Sequence, residues 1–328
     1  MNQNDILKLL CEGNGEYISG QVICSALGVS RTAVWKQINK LKDAGYEISS
    51  TTNRGYKLNN SPDIISRFEV QSKLKEEGLD YKVLVYNSVL STNNIAKHLA
   101  NEGLQGKTVI LSNEQTKGRG RFNRSFYSKK SCGIYMSVIL RPKLTPSKTN
   151  LITIVAAIAV CKAIESLYPI KPQIKWTNDI LINGKKVCGI LTELATEAES
   201  DLTQFVVLGI GINVNNNIED FPQEIRDIST SLKMESGKNI NRSRLIAKII
   251  LELDKLIENF YFLKNQAELI EQYKSYLCML GENITIIRGE TKINAKALDI
   301  NKNAALVVQY DNGKIETINS GEISVKLN

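Results

Sequence analysis

The stretch PSKTNLITIVAAIAVCKAIESLY, Pro146 to Tyr168, is apolar on nearly every face of a helix. A helix without a polar stripe must be covered on all sides, so this one is expected to lie buried against a sheet. The chain supplies the sheet. The runs YKVLVYN, KTVILSNE, CGIYMSVIL, VCGILTEL and QFVVLGIGINV are β-branched, apolar and bounded by Gly, Asn or Ser. They alternate with helical stretches such as STNNIAKHLANEG, capped by Ser91 or Thr92, and the amphipathic NRSRLIAKIILELDKLIENFYFL. From Asp63 to Tyr276 the pattern is that of a mixed α/β unit. The apolar run inside the long helix, Ile152 to Cys161 with Thr153 interrupting it, is too short for a bilayer, and no membrane association is expected.

Residues 1–62 differ in pattern from the rest of the chain, and LNNSPD (Leu58 to Asp63) has linker composition. NDILKLL places Ile6, Leu9 and Leu10 on one helical face, and SGQVICSALG turns Val22, Ile23, Ala26 and Leu27 inward before Gly28 ends it. Ser30 caps a third helix, RTAVWKQINKLKDAG, with Val34, Ile38 and Leu41 as its buried stripe and Gly45 closing it. YEISSTTNRGYKL makes two strands around Asn53, Arg54 and Gly55. Three helices and a hairpin form a winged helix-turn-helix. Arg31, Thr32, Trp35, Lys36, Asn39 and Lys40 fall off the buried stripe, and Arg54 tips the wing. These side chains suit phosphates and base edges. Seven Lys/Arg against five acids in residues 1–60 leave a small surplus, so a protein-interaction module is the competing reading; the clustering on the third helix and wing favours DNA. The tail, residues 277–328, returns to short strands around the hairpin signal YDNGK and predicts a small β-barrel or sandwich.

The beginning, MNQNDILKLLCEG, lacks a secretory pattern, and the six cysteines are scattered without a C-x-x-C, as in reduced cytoplasmic proteins. His98 is the only histidine, which excludes a two-histidine metal site and disfavours a catalytic triad. It is read as a surface or capping residue.

The net charge of +8 is uneven: ten Lys/Arg and no acid lie between Gln115 and Lys162. Within that span TKGRGRFNR sets Lys117, Arg119, Arg121 and Arg124 around Gly118 and Gly120. Such a loop suits a nucleic-acid backbone, a nucleotide phosphate or plain solvent. It is neither a P-loop nor a dinucleotide fingerprint. Being single and set between strand-like runs, it fits a ligand-ordering loop better than a repeated RNA-binding segment, and it is expected to stay mobile until an anion arrives. IKWTNDILINGKKVCGILTEL reads as strand, Asn183-Gly184 turn and strand, bringing Lys175, Asn178 and Asp179 near Lys185, Lys186 and Gly189. Asn178 and Asp179 can hold a magnesium ion or orient a hydroxyl, and a lysine on the return strand can stabilise shared negative charge. Gly209 and Gly211 in VLGIGINVN mark a close approach of ligand or backbone.

In this order, STNNIAK, EQTKGRGRF, KWTNDILINGKKVCGIL and GIGINVN resemble the biotin protein ligases. With the N-terminal unit, the chain is similar along its length to the bifunctional kind, ligase and biotin operon repressor together. The resemblance implies a multidomain α/β (α+β) protein: winged helix-turn-helix (1–62), class II synthetase-like catalytic domain (63–276) and SH3-like β-barrel (277–328). It implies that biotin and ATP with Mg²⁺ give biotinyl-5′-adenylate, and that a lysine of a biotin carboxyl carrier protein then displaces AMP. By match of motif, Ser91, Thr92, Asn93 and Gln115 meet biotin, and Arg119, Gly120 and Arg121 cover biotin and the adenylate phosphate. Lys186 contacts the reacting oxygens. Lys175, Asn178 and Asp179 lie near metal, phosphate and incoming amine, Asp179 being the metal ligand, and Asn213 meets adenine. The same resemblance implies operator DNA and a homodimer. Thr177, Cys188, Asn123 and Phe126 depart from the family pattern, Cys188 with the potential to crowd the pocket. A lipoate-type ligase of the same fold and a non-catalytic sensing regulator are the alternatives.

Overall fold

The structure, a computed structural model, describes residues 3–13, 15–43, 46–60, 65–142, 145–196, 202–262, 265–288 and 291–325. The chain opens with helices α1 (Gln3–Glu12), α2 (Gly20–Leu27) and α3 (Arg31–Asp43), followed by the hairpin β1 (Glu47–Thr51) and β2 (Gly55–Asn60). Ser19 caps α2 by accepting from the Val22 amide, and Gly28 ends it at φ 64°. Ser30 Oγ accepts from the Ala33 amide at 3.2 Å at the start of α3. At the wing turn Gly55 has φ 100°, and a Cβ there would lie 2.1 Å from the Ile18 carbonyl oxygen, so only glycine fits. The unit has its own core, with Val34, Ile38 and Leu41 buried as expected. Two expectations shift by part of a turn. Leu7 is buried where Leu9 was expected, Leu9 packing at the margin. On α2 the inward stripe is Ile23, Cys24 and half-buried Leu27, while Val22 is 55% exposed. Ala26 is also exposed. An eight-residue helix buries one narrow stripe, and the pair 22/26 lies about 100° around from 23/27. Gly45 and the 62/63 boundary lie outside the described residues.

The central elements are α4 (Arg67–Glu76), β3 (Lys82–Tyr86), α5 (Thr92–Asn101), β4 (Thr108–Ser112), β5 (Gly133–Leu140), α6 (Thr149–Leu167), β6 (Gln173–Lys175), β7 (Asp179–Ile182), β8 (Lys185–Thr196), β9 (Thr203–Asn213), α7 (Leu232–Ser236), α8 (Arg242–Phe262) and α9 (Gln266–Tyr276). One seven-stranded sheet runs β3-β4-β5-β9-β8-β7-β6, parallel at β3–β4 and antiparallel elsewhere. The long helix α6 lies in its core, from Leu151 to Ile164. By length and composition alone Asn150–Leu167 also passes for a membrane span, but 72% of it is buried inside the protein.

The strand expected before the Asn183-Gly184 turn is two strands. The chain reverses at Trp176–Asn178, so that β6 and β7 pair with Lys175 opposite Asp179. Asn178 supports the reversal. Its carbonyl accepts from the Ile190 amide at 3.0 Å, and its Nδ2 donates to the Ile190 carbonyl at 2.9 Å. A side-chain amide thus replaces strand backbone along β8. Tyr273 of α9 closes the turn by donating to the Thr177 carbonyl at 2.9 Å.

After α9 come β10 (Asn283–Arg288), β11 (Thr291–Ile300), β12 (Leu306–Tyr310), β13 (Ile315–Ile318) and β14 (Glu322–Val325). They form an antiparallel sheet in the order β13-β12-β11-β10-β14. Its apolar face, including Ile286, Leu306 and Ile323, belongs to the same buried cluster as α6 and the seven-stranded sheet. The Trp176 indole donates to the Ala304 carbonyl at 3.0 Å, tying the β6–β7 reversal to this sheet.

Candidate active site

A cleft of about 540 Å³ opens over β8 and β9. Its floor is bare because Gly189 faces Gly211 across the strand pair. The Phe126 ring lies on this floor: a Cβ on Gly211 would sit 2.6 Å from it. A Cβ on Gly209 would sit 2.3 Å from Asn93 Oδ1. Both glycines are close-approach positions, but what approaches is a side chain, Asn93 or Phe126, rather than the ligand or backbone expected.

One wall is the start of α5. Ser91, Thr92 and Asn93 are each 3% exposed or less. No side chain caps the helix there. Instead Thr92 donates from its amide (2.8 Å) and hydroxyl (3.1 Å) to Gln115 Oε1, whose Nε2 reaches Ser128 Oγ at 3.0 Å. Asn93 is held at both ends: Ser137 Oγ meets its Oδ1 at 2.6 Å, and its Nδ2 donates to Glu193 at 2.8 Å. Burial pulls the Glu193 carboxyl up, but hydrogen bonds from Lys97 and Asn93 and the charges of Lys97 and Arg119 outweigh it and leave the carboxyl below its ordinary range.

The opposite wall carries Asp179 and Lys186, whose Oδ1 and Nζ are 2.7 Å apart. Lys186 reaches this face through a β-bulge. Ile180 pairs with Cys188 and Leu181 with Lys186, leaving Val187 as an extra residue. The bulge puts Lys186 on the same side as Gly189, where a Cβ would lie 3.3 Å from Lys186 Nζ. Cys188 consequently turns into the core and does not crowd the cleft. Burial pushes its thiol well above the ordinary range, which keeps it protonated and unreactive. The Lys186 backbone is pinned on its other edge by the Ile228 carbonyl (2.8 Å) and the Thr230 amide (2.9 Å). Lys175, Asn178 and Asn213 also line the cleft. Asp179 is already paired with Lys186, and no cluster of three or more His, Cys, Asp or Glu side chains occurs among the described residues. A divalent ion here fits only as one shared with ligand phosphates, the usual habit of Mg²⁺.

The basic loop forms the lid. Gly120 donates to the Arg124 carbonyl at 2.7 Å and Arg124 to the Arg121 carbonyl at 3.1 Å, making a tight turn with Phe122 (φ 54°) and Asn123 (φ 58°) in the left-handed region. Arg121 crosses the cleft to Thr177 Oγ1 (3.0 Å) and Asn178 Oδ1 (2.9 Å). Burial lowers its pKa, while Asp179, Tyr273 and Glu322 act in the opposite sense. Arg119 borders the cleft and reaches Glu193 (3.5 Å) and Asn94 (3.3 Å). The loop was expected to carry unanswered charge. Acids distant in sequence answer it: Glu193 at Arg119 and Glu322 at Arg124. In this structure the loop lies over the site, held by these contacts.

Sequence reasoning missed Glu193, the β14 residues, and Phe221, Ile225 and Ile228, all of the latter three lining the cleft. The i, i+4, i+7 spacing of those three apolar residues in an otherwise polar segment was the available signal. His98 is apart from the cleft, on the exposed side of α5, 3.3 Å from Glu102.

In the N-terminal unit Arg31, Thr32, Trp35, Lys36 and Lys40 are exposed on α3, and Asn39 is half-buried. Arg31 donates to Gln21 Oε1 at 3.0 Å, and Arg54 lies 5.3 Å from the Tyr17 ring at the wing.

A mixed sheet with a glycine floor, a lysine–aspartate wall and an arginine above it suits an enzyme that activates a carboxylate with a nucleotide, and the chain carries a winged helix-turn-helix as well. Residues 85–213 match the Biotin/lipoate A/B protein ligase family, residues 2–57 an HTH domain, and residues 279–326 the Biotin protein ligase C terminal domain. The Bifunctional ligase/repressor BirA of Bacillus spizizenii is 39% identical over 323 residues, 98% of each chain. That of Escherichia coli is 28% identical over 99% of each chain. The structure of an Aquifex aeolicus biotin protein ligase in complex with biotin and ATP aligns with TM-score 0.64 and 29% identity, covering 75% of this chain and 99% of that one. The chain belongs to the bifunctional biotin protein ligase/repressor family: it is a ligase that carries its own DNA-binding repressor module.

Proposed function

We propose that this chain activates biotin with ATP and passes it to a lysine of a biotin carboxyl carrier protein. The observation that carries the reading is the Lys186–Asp179 pair facing Arg121 across a glycine-floored cleft. A biotin carboxylate oxygen forms a bond to the α-phosphorus of ATP, and pyrophosphate leaves. The amine of the carrier lysine then attacks the acyl carbon, loses its proton, and AMP departs. Lys186 Nζ stabilises the oxygens that carry charge in both steps, and Arg121 covers the phosphate. Ser91, Thr92, Asn93 and Gln115 hold the ureido ring, Asn213 and the Phe221 wall take the adenine, and Lys175 borders the entry of the amine. Asp179 and Asn178, with the nucleotide phosphates, are the residues that would hold Mg²⁺, whose chemistry here is neutralisation of phosphate charge. Incubation with biotin, MgATP and a carrier domain tests the reading. The expected result is a mass gain of one biotinyl group on one carrier lysine; a gain only with lipoate, or none, sinks it.

Gly209 provides a narrower check. A methyl group there displaces Asn93, whose amide is committed at both ends. Gly209→Ala is expected to weaken biotin binding about tenfold, the scale of one disrupted buried hydrogen bond. Calorimetric titration measures it, and unchanged affinity would count against Asn93 as a pocket residue.

We further propose that the adenylate is the corepressor: it favours a homodimer that sets two α3 helices on two operator half-sites. Operator affinity is expected to rise when biotin and ATP are added at fixed protein concentration. Equal affinity with and without them removes this part of the reading. The boundaries 1–62, 63–276 and 277–328 are the proposed domain limits.

A further inference from the structure

The lid loop is anchored at three points by three different elements. Arg119 on its first leg meets Glu193 of β8, and Arg121 at its tip meets the β6–β7 reversal. Arg124, on its second leg, meets Glu322, the first residue of β14, 198 positions away. This last contact is a fork on a carboxylate: Nη1 to Oε1 at 2.7 Å and Nη2 to Oε2 at 2.6 Å. Parallel paired bonds of this kind fix orientation as well as distance. Gly321, Glu322, Ile323 and Ser324 all border the cleft, so this end of the C-terminal sheet is part of its rim.

We propose that Glu322 is a positioning residue that latches the lid, through Arg124, over the acyl-adenylate. The turn that carries Arg121 is closed by the Gly120-to-Arg124 and Arg124-to-Arg121 backbone bonds, so fixing the Arg124 side chain fixes the base of that turn. Releasing it frees the turn to swing, with Arg121 leaving Thr177 and Asn178. Another contact from the C-terminal part acts on the surface Arg121 lands on: the Ala304 carbonyl accepts from the Trp176 indole, while Tyr273 of α9 donates to the neighbouring Thr177 carbonyl. The C-terminal part of the chain therefore grips both halves of the closure, lid and landing site. The consequence is control of how long the adenylate is retained before a carrier lysine arrives, with no contact between Glu322 and the reacting atoms required.

The proposal rests on the adenylate-forming reading above. The test loads the full chain with labelled biotin and MgATP, removes free ligand, and tracks loss of labelled adenylate in wild type, Glu322→Gln, Arg124→Gln and the double variant. Each single variant is expected to release adenylate about fivefold faster, the upper range for one partly exposed ion pair. The double variant is expected to be no faster than either single one, because both remove the same contact. Melting temperatures are expected to stay at the wild-type value. Release at the wild-type rate in Glu322→Gln overturns the latch, as do singles whose effects multiply in the double variant or a faster release that only accompanies a fallen melting temperature. A wild-type chain that forms no adenylate overturns the parent reading itself, which the loading step shows before any variant is compared.

Discussion

Replacing Lys186 with glutamine lowers biotin-dependent exchange of pyrophosphate into ATP by about 10²- to 10³-fold, the usual cost of removing one preorganised donor aimed at developing charge. The size of the effect comes from how firmly the side chain is placed. The bulge at Val187 turns it to the cleft, Asp179 holds its ammonium at 2.7 Å, and the 228–230 segment holds its backbone. No other lysine on the described walls has that set of supports, so nothing nearby substitutes for it. The fold is expected to survive, because the Asp179–Lys186 pair is partly exposed, at 24% and 37%, and such pairs contribute at most about 1 kcal/mol. Thermal unfolding of the variant separates loss of chemistry from loss of structure. An exchange rate within about threefold of wild type, far short of the range for a charge-stabilising donor, removes Lys186 from the reaction.

The parts of this molecule that were legible in the sequence are those set by local period and local caps. Ser30, Gly28 and the Val34/Ile38/Leu41 stripe specify the winged helix from a single short stretch, and α6 announces its burial by composition alone. Resemblance then ordered the motifs, and the cleft brings together Ser91, Thr92, Asn93, Gln115, Arg119, Gly120, Arg121, Lys175, Asn178, Asp179, Lys186 and Asn213 on one lining. What could not be seen depends on register or on distant pairing. Strict alternation would put Lys186 and Cys188 on one face, and only an extra residue opposite the Ile180–Leu181 step separates them. The Trp176–Asn178 reversal relies on a side-chain amide standing in for backbone along β8, which carries no periodic signature. The partners of the basic loop, Glu193 and Glu322, have no sequence proximity to it, so the run looked unanswered. A count of local charge finds the loop but not what holds it down.

Arg121→Gly is expected to release the acyl-adenylate about 30-fold faster than wild type, equivalent to about 2 kcal/mol, within the range for a hydrogen bond to a charged group. Two bonds across the cleft disappear with the side chain, those to Thr177 and Asn178, together with the charge proposed to cover the phosphate. Glycine also removes the steric restriction from a turn in which Phe122 and Asn123 already lie in the left-handed region, so the lid gains conformations in which it stands open. Biotin should still bind, since the Thr92–Gln115–Ser128 network and the Asn93 clamp lie on the opposite wall. The chemical step and the retention step thus separate: the variant makes adenylate but does not keep it, and AMP accumulates from hydrolysis without carrier protein. The two quantities to compare are AMP formed per biotin consumed and label transferred to the carrier lysine. In wild type they rise together; in Arg121→Gly the first is expected to outrun the second. Equal yields in the two proteins would show that Arg121 does not seal the cleft, and the closure would then rest on Arg119 and Arg124 at the two legs of the loop.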